Sequence, residues 1–144
     1  MIRSLDISSS AMNAQRLRMD IISQNIANSE TTRTEDGTPY RRRLVVFQEQ
    51  KDSGIFKEYF NDANKQYAGL GVKAVRIVED PSDYKLIYDP THPDANDEGY
   101  VRLPNVDRLR EIVDMMSATR SYEANVTAFN ASKALAMKAL EIGK

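Results

Sequence analysis

Apolar side chains in the N-terminal part of the chain recur with a helical period. Residues 4–28 contain neither Gly nor Pro. The apolar residues at seven-residue intervals are Leu5, Met12, Met19 and Ile26, and the positions between them are Ser8, Gln15 and Ile22, two of them polar. A narrow seam of this period predicts a helix that packs as in a coiled coil. We place its N-cap at Ser4, with Asp6 in the first turn, and its end at Asn28.

The C-terminal part carries a longer and clearer pattern. After Pro104, with Asn105 or Asp107 as the N-cap, no Gly or Pro interrupts the chain until Gly143. A seam alternates three and four residues apart through Ile112, Met115, Thr119, Tyr122, Val126, Phe129, Lys133, Ala136 and Leu140. This spacing predicts a second, longer helix with one apolar face.

The same helix has a second stripe, made of small residues. It consists of Ser117, Ser121, Ala124, Ala128, Ala131 and Leu135. At ~100° per residue, this stripe lies about 200° around the helix from Val126 and Phe129. Alanine is also the best helix former, so these positions could simply face water. We favour a close contact with another helix, because a solvated face normally carries more Lys and Glu.

The middle of the chain reads as short strands and loops. Strands are predicted at residues 43–47 and 72–78, with a weaker third at 85–88, and residues 89–99 form a loop with two prolines. The predicted fold class is α+β, with long N- and C-terminal helices packed as an antiparallel coiled-coil-like hairpin. The expected segments are 1–30 for the first helix, 31–104 for the small β-rich middle, and 105–144 for the second helix.

Composition narrows the possible functions. The chain has 144 residues, 20 Lys+Arg against 21 Asp+Glu, and a net charge of −1, so it lacks the basic field that concentrates nucleic acid. Without cysteine there are no disulfides, thiolate metal sites or thiol nucleophiles. The N-terminal residues lack the apolar region of a signal peptide, so we expect no cleavable signal peptide.

No set of residues forms a catalytic constellation. His92 is the only histidine, which excludes a histidine pair for a metal. The acidic loop around it lacks the ligand spacing of an EF-hand, and we interpret it as a turn with solvated carboxylates. The run Arg41–Arg43 has no interleaved aromatic residues, so we interpret it as an exposed strand entrance or a protein contact. We therefore predict a non-enzyme with no cofactor, metal, nucleic-acid ligand or small-molecule substrate.

The segment Asn25-Ile26-Ala27-Asn28 resembles the N-terminal signature of the bacterial flagellar rod–hook family. Other stretches resemble a proximal-rod member of that family, in order along almost the whole chain. They are residues 31–34, 37–42, 89–95, 99–101, 104–106 and 118–126. Residues 51–67 are the least similar. Two asparagines three residues apart could also offer their amides to a neighbouring chain.

The resemblance implies a self-assembling structural subunit of the flagellar basal-body rod, part of a tube that transmits torque and forms the export channel. Implied partners are other copies, other rod proteins, a membrane-ring/rod-junction adaptor and the flagellar type III export apparatus. The implied location is the basal body, in the periplasm or cell-wall space. Two alternatives remain: a monomeric adaptor or chaperone-like helical protein, or a small metal-binding domain using loop 89–98.

Terminal-helix residues form the expected assembly interface of the inner layer. They are Leu5, Met12, Met19, Asn25, Ile26, Asn28, Met115, Tyr122, Ala124, Val126, Ala128, Phe129, Ala131 and Leu140.

Overall fold

The computed structural model describes residues 2–50 and 70–142. Helix α1 covers Ile2–Ala27 and helix α2 covers Arg108–Ile142. Within the described residues, four strands lie between them in the sequence: β1 Arg43–Glu49, β2 Val72–Glu79, β3 Lys85–Tyr88 and β4 Tyr100–Leu103. The structure confirms the predicted α+β class, with two long helices and a small β-rich middle. The least family-like stretch, residues 51–67, lies outside the described residues.

Side chains at the helix ends explain where two of the four boundaries fall. Helix α2 begins after Asp107, whose carboxylate accepts hydrogen bonds from the backbone N–H of Leu109 at 3.1 Å and of Arg110 at 3.5 Å. Asp107 is therefore the N-cap, one of the two predicted candidates. Helix α1 ends at Ala27, one residue before the predicted end at Asn28, and the Asn28 amide donates to the Gln24 carbonyl at 2.9 Å. It thereby satisfies one of the carbonyls left unpaired at a helix C-terminus.

The predicted start of α1 is wrong. The helix already begins at Ile2, so Ser4 lies inside its first turn and is not the N-cap. Asp6 then falls beyond that turn, which contains no acidic residue. The physical reason is that no Gly or Pro precedes Ser4, so nothing in the chain prevents the helix from extending by another two residues.

The strands form two separate two-stranded sheets. One sheet pairs β1 with β2, and the other pairs β3 with β4 in antiparallel register, from Lys85 opposite Leu103 to Tyr88 opposite Tyr100. The predicted strands at 43–47, 72–78 and 85–88 are confirmed, as is the loop at 89–99. Strand β4 is an addition that the sequence pattern did not reveal. Neither described helix contains a stretch long and apolar enough to cross a bilayer.

The chain divides into two compact units. The first comprises Met1–Leu17, Val46–Arg76 and Thr119–Lys144, and the second comprises Arg18–Val45 and Ile77–Ala118. In the second unit, Arg18 contacts Asp114, Asn25 contacts Glu111, and Glu30 pairs with Arg108. In these three pairs the residue numbers on α2 decrease as the residue numbers of their N-terminal partners increase. Helices α1 and α2 therefore run antiparallel in this unit.

The buried side of α1 differs from the predicted seam. The four heptad residues, Leu5, Met12, Met19 and Ile26, are half-buried, whereas Ser8 and Ile22 from the positions between them are buried. Ala14 and Ile21 are buried as well. In the first unit α1 also contacts strand β2, because the Ser10 hydroxyl accepts a hydrogen bond from the Val72 backbone N–H at 3.2 Å. A helix with contacts on more than one side buries more than a narrow seam.

Gly71 makes this contact between α1 and β2 possible. Its φ is +107°, and a Cβ added there would overlap the Ser10 hydroxyl and lie 3.1 Å from the Ser10 Cβ. We expect Gly71→Ala to destabilise the first unit by about 1–3 kcal/mol through backbone strain, with a further loss from the clash. The measurement is the urea midpoint of unfolding.

Gly37→Ala is the matched control for this substitution. Gly37 has φ +74° but nothing within 4 Å of an added Cβ, so it reports backbone strain alone. When Ser10→Ala is added to Gly71→Ala, the chain should recover the part of the lost stability that is due to the clash with the Ser10 hydroxyl. Equal losses for Gly71→Ala and Gly37→Ala would show that the close approach to Ser10 is unimportant.

Candidate functional site

A cluster of buried polar side chains lies in the second unit, where the end of α1, the entrance to β1 and the start of α2 meet. Its centre is Glu111, which is 0% exposed. Glu111 lies one turn inside α2, and the capping of that helix by Asp107 fixes where it points. A fully buried carboxylate requires a cation and hydrogen-bond donors in contact with it.

Arg42 supplies the cation. Its Nε and Nη2 lie 2.7 and 2.6 Å from Oε1 of Glu111. The same guanidinium lies 3.5 Å from Asp80 and 3.4 Å from Asp114, and Arg18 lies 3.4 Å from the other oxygen of Asp114. Two cations thus face three carboxylates. The cluster crosslinks segments that are far apart in the sequence, since Arg42 and Glu111 are 69 residues apart.

The interpretation of Arg41–Arg43 as an exposed strand entrance is wrong for its middle residue. Arg42 is 8% exposed, while Arg43 is exposed and the Arg41 guanidinium lies 4.5 Å from the centre of the Tyr84 ring. Successive residues of an extended chain point to opposite sides, so the middle arginine points inwards when its neighbours point outwards. This alternation was the available sequence signal for the buried cation.

Asn25 completes the cluster and uses its whole amide inside the chain. Its Nδ2 donates to Glu111 Oε2 at 3.0 Å and to the Arg43 carbonyl at 2.9 Å. Its Oδ1 accepts from the Tyr40 hydroxyl and the Arg43 backbone N–H, both at 2.9 Å. Two donors and two acceptors are all that an asparagine amide offers. The prediction that Asn25 offers its amide to a neighbouring chain is therefore corrected.

The protonation equilibria of the cluster follow from these contacts. Burial raises the pKa of the Tyr40 hydroxyl, which therefore keeps the proton that it donates to Asn25. Burial by itself lowers the pKa of Arg42, but the hydrogen bond and charge of Glu111, and then those of Asp80, outweigh it and raise that pKa. The Arg42 side chain that pairs with Glu111 therefore stays positively charged.

Asp80 makes part of the stability of the folded chain depend on pH. Hydrogen bonds from Ser82, and after them the contact with Arg42, lower the pKa of Asp80 below its ordinary value of 3.8. The pKa of Asp80 is thus lower in the folded chain than in the unfolded chain. The contacts of its carboxylate therefore stabilise the fold fully at pH values above 3.8. This stabilisation is lost as the pH falls through the folded-state pKa of Asp80.

Asn105, the other predicted N-cap, has a different role. Its Oδ1 accepts from the Arg42 backbone N–H at 2.8 Å, and its Nδ2 donates to the Asp80 carbonyl at 3.1 Å and to the Ser82 hydroxyl at 2.8 Å. It therefore holds the loop before β3 beside the entrance to β1. Sequence reasoning missed Tyr40, Arg42, Glu111 and Asp114, because the partners of each come from distant segments.

The remaining residues of the expected assembly interface fall into two groups. The first group is half-buried within the chain: Leu5, Met12, Met19, Ile26, Asn28, Met115, Tyr122, Val126 and Phe129. The second group is exposed: Ala124, Ala128, Ala131 and Leu140.

Loop 89–99 is organised by its own hydrogen bonds. The Asp94 backbone N–H donates to His92 Nδ1 at 3.0 Å, and Asp94 accepts from the Thr32 hydroxyl at 2.7 Å. Hydrogen bonds from Thr91 lower the pKa of Asp89. Over residues 2–50 and 70–142, no three carboxylate, histidine or cysteine side chains are grouped as a metal site would need.

Comparison with protein families identifies the class to which this arrangement belongs. The model described as "Flagella basal body rod protein" matches residues 5–33, which contain all but the first three residues of α1. The model described as "Flagellar basal body rod FlgEFG protein C-terminal" matches residues 97–142, which contain β4 and α2. Both ends of the chain are thus those of a flagellar basal-body rod protein.

Full-length relatives narrow the class to one family. The chain is 54% identical to the flagellar basal-body rod protein FlgC of Bacillus subtilis, over 98% of this chain and 97% of that protein. It is 45% identical to FlgC of Borreliella burgdorferi over 96% and 95%, and 38% identical to FlgC of Salmonella typhimurium over 100% and 98%. The chain belongs to the FlgC family of flagellar basal-body rod proteins.

Proposed function

We propose that the chain is a non-catalytic structural subunit that assembles with other copies and with other rod proteins into the proximal part of the flagellar rod. That tube transmits torque and encloses the export channel. Membership of the FlgC family supports this proposal over a monomeric helical adaptor or a metal-binding domain. Its relatives carry the name of a rod protein and not of an enzyme.

The observation that carries the proposal is the exposed apolar surface of α2. In the second unit, Leu109, Val113 and Met116 follow one another at helical spacing and are 72%, 59% and 52% exposed. Further along α2, the large exposed apolar side chains are Leu135, Met137 and Leu140. Large apolar side chains grouped on one helix face indicate a protein–protein contact. An assembled rod would remove them from water.

The proposal extends to partners and location. The terminal helices would form the inner layer of the tube, with residues 1–30 and 105–144 in that layer and residues 31–104 outside it. The chain would leave the cytoplasm through the flagellar type III export apparatus and meet a rod-junction adaptor in the periplasm or cell-wall space. Loop 89–99 would then provide a subunit contact.

The double variant Leu109→Glu/Val113→Glu tests the assembly surface. Both residues are largely exposed, so we expect the free energy of unfolding of the isolated chain to change by about 0.5 kcal/mol or less. Rod assembly should nevertheless fail, because carboxylates would be buried at an apolar contact. The measurements are thermal unfolding of the purified chain and swimming of cells that carry the variant.

Arg110→Glu is the matched control, since Arg110 is an exposed residue between the two on the same helix. It should leave both unfolding and swimming unchanged. Normal swimming of the double variant would contradict the proposed use of this face.

A further inference from the structure

A cavity of about 330 Å³ lies within the second unit, lined by the turn that follows α1, the loop before β4 and β4 itself. The lining residues that matter here are Arg33, Thr38, Asp94, Asn96, Tyr100 and Arg102. None of them belongs to the buried cluster or to the expected assembly interface.

Hydrogen bonds fix the walls of this cavity. On one side the Thr34 hydroxyl and backbone N–H both donate to the Thr38 carbonyl, at 2.8 and 2.9 Å. On the other side Asn96 Oδ1 accepts from the Tyr100 backbone at 2.7 Å, and the Asn96 N–H donates to the Tyr100 carbonyl at 2.9 Å. The Thr32–Asp94 bond connects the two sides. The cavity is therefore preformed, and a ligand need not order its walls.

The charged residues that line the cavity are two arginines and one aspartate. Arg33 and Arg102 are both exposed and form no ion pair with any residue in 2–50 or 70–142. The one carboxylate in the lining, Asp94, already accepts from Thr32. Two arginines without an ion-pair partner among the described residues line one concave site, and this favours a carboxylate ligand, which can accept paired hydrogen bonds from a guanidinium.

An exposed apolar surface adjoins Arg102. The β3–β4 register places Leu86 opposite Arg102 and Tyr88 opposite Tyr100, so these four side chains share one face of the hairpin. Leu86 is 63% and Tyr88 64% exposed, and the Tyr88 and Tyr100 rings lie 5.3 Å apart in an edge arrangement. A ligand with a carboxylate beside an apolar side chain would contact both parts.

We propose that this cavity and hairpin face dock an acidic, partly apolar segment of a neighbouring protein subunit. The contact goes beyond assembly through the terminal helices. This docking proposal rests on the proposed function in one respect, because it takes the neighbour to be another subunit of the same rod. Charge complementarity selects the occupant, because the lining carries two arginines that have no ion-pair partner among the described residues and one carboxylate that is already hydrogen-bonded.

The first test is an NMR titration of the isotopically labelled full chain with two blocked peptides. The probes are acetyl-Gly-Asp-Leu-Asp-Gly-amide and its counterpart with Asn in place of Asp. We expect the acidic peptide to bind at least about tenfold more tightly, which corresponds to about 1.4 kcal/mol. It should shift the amide signals of Arg33, Thr38, Asn96 and Arg102, and the shifts should weaken with added salt. Equal affinities would overturn the proposal.

Two variants test whether the preference for the acidic peptide depends on the two cavity arginines. Arg33→Gln/Arg102→Gln should abolish the tenfold preference, whereas Arg76→Gln, an exposed arginine on β2, should retain it. Both cavity arginines are exposed, so the chain should stay folded, and an unchanged amide spectrum outside the cavity checks this. A preference that persists in the double variant would overturn the proposal. So would tighter binding of glucuronic acid than of the peptide, which would point to a sugar acid.

Complementation in cells that lack the gene separates this proposal from the proposed function. If the wild-type gene fails to restore rods, the proposed function is wrong whatever the peptides show. If the wild-type gene restores rods but the peptides show no acid preference, only the docking proposal is wrong. Arg33→Glu/Arg102→Glu should reduce swimming, and suppressors should replace Asp or Glu by Lys or Arg in a neighbouring subunit.

Discussion

Arg42→Met is expected to destabilise the chain by about 3–5 kcal/mol, because it leaves the buried Glu111 carboxylate without its cation. Glu111 is fully buried, and both of its oxygens accept hydrogen bonds within the cluster. Among the described residues, the loss of Arg42 would leave the Asn25 amide as a hydrogen-bond donor to that carboxylate. Chemical unfolding followed by circular dichroism at neutral pH measures the change.

Two controls make this result specific to the ion pair. Arg110→Met removes an exposed arginine from the same unit and should change the free energy of unfolding by about 0.5 kcal/mol or less. Arg42→Met/Glu111→Leu should recover part of the loss, with a coupling of about 1–3 kcal/mol, because an apolar pair can replace a buried ion pair. An Arg42→Met protein as stable as the wild type would be incompatible with the buried cluster.

Val126→Asp is expected to abolish rod assembly. Val126 is half-buried on α2 with Phe129 one turn later, and both belong to the first unit. Burying a valine contributes about 1.5–3 kcal/mol, and placing a carboxylate there adds a desolvation cost of several more. Cells should be non-motile, with the subunit exported or degraded.

The second unit should survive this substitution. It takes no residue of α2 beyond Ala118, and its buried cluster is complete within Arg18–Val45 and Ile77–Ala118. Hydrogen exchange of the Val126→Asp chain should therefore show native protection at Asn25 and Glu111. The assembly claim would be falsified if Val126→Asp cells swam normally.

Ala128→Leu separates the two interpretations of the small-residue stripe. Ala128 is exposed in the isolated chain, so the substitution should leave the stability of that chain unchanged. In an assembled rod, a close helix contact would be overpacked by about 1–3 kcal/mol at every interface. Normal swimming would show that the stripe reflects helix propensity alone.

The sequence predicted what local interactions control. Both long helices were predicted because apolar spacing and the absence of Gly and Pro act within a few residues. Runs of β-branched residues located β1 and β2 in the same way. The start of α1 was misplaced by two residues. No residue before Ser4 is incompatible with a helix, and a single Ser does not by itself fix the position of the N-cap. Strand β4 was missed because four residues that include an arginine become a strand only by pairing with β3.

The polar cluster and the cavity depended on the tertiary structure. A run of three arginines does not reveal that the middle one meets a glutamate 69 residues later, nor that an asparagine of the family signature uses its whole amide between them. Nor does the sequence show that Arg33 and Arg102 line one cavity. The helical period and family membership were decided by the sequence itself, through local spacing and recognisable motifs. Which charges are buried and paired was decided only by the fold, because the energy of a charge depends on the neighbours and solvent that distant segments place around it.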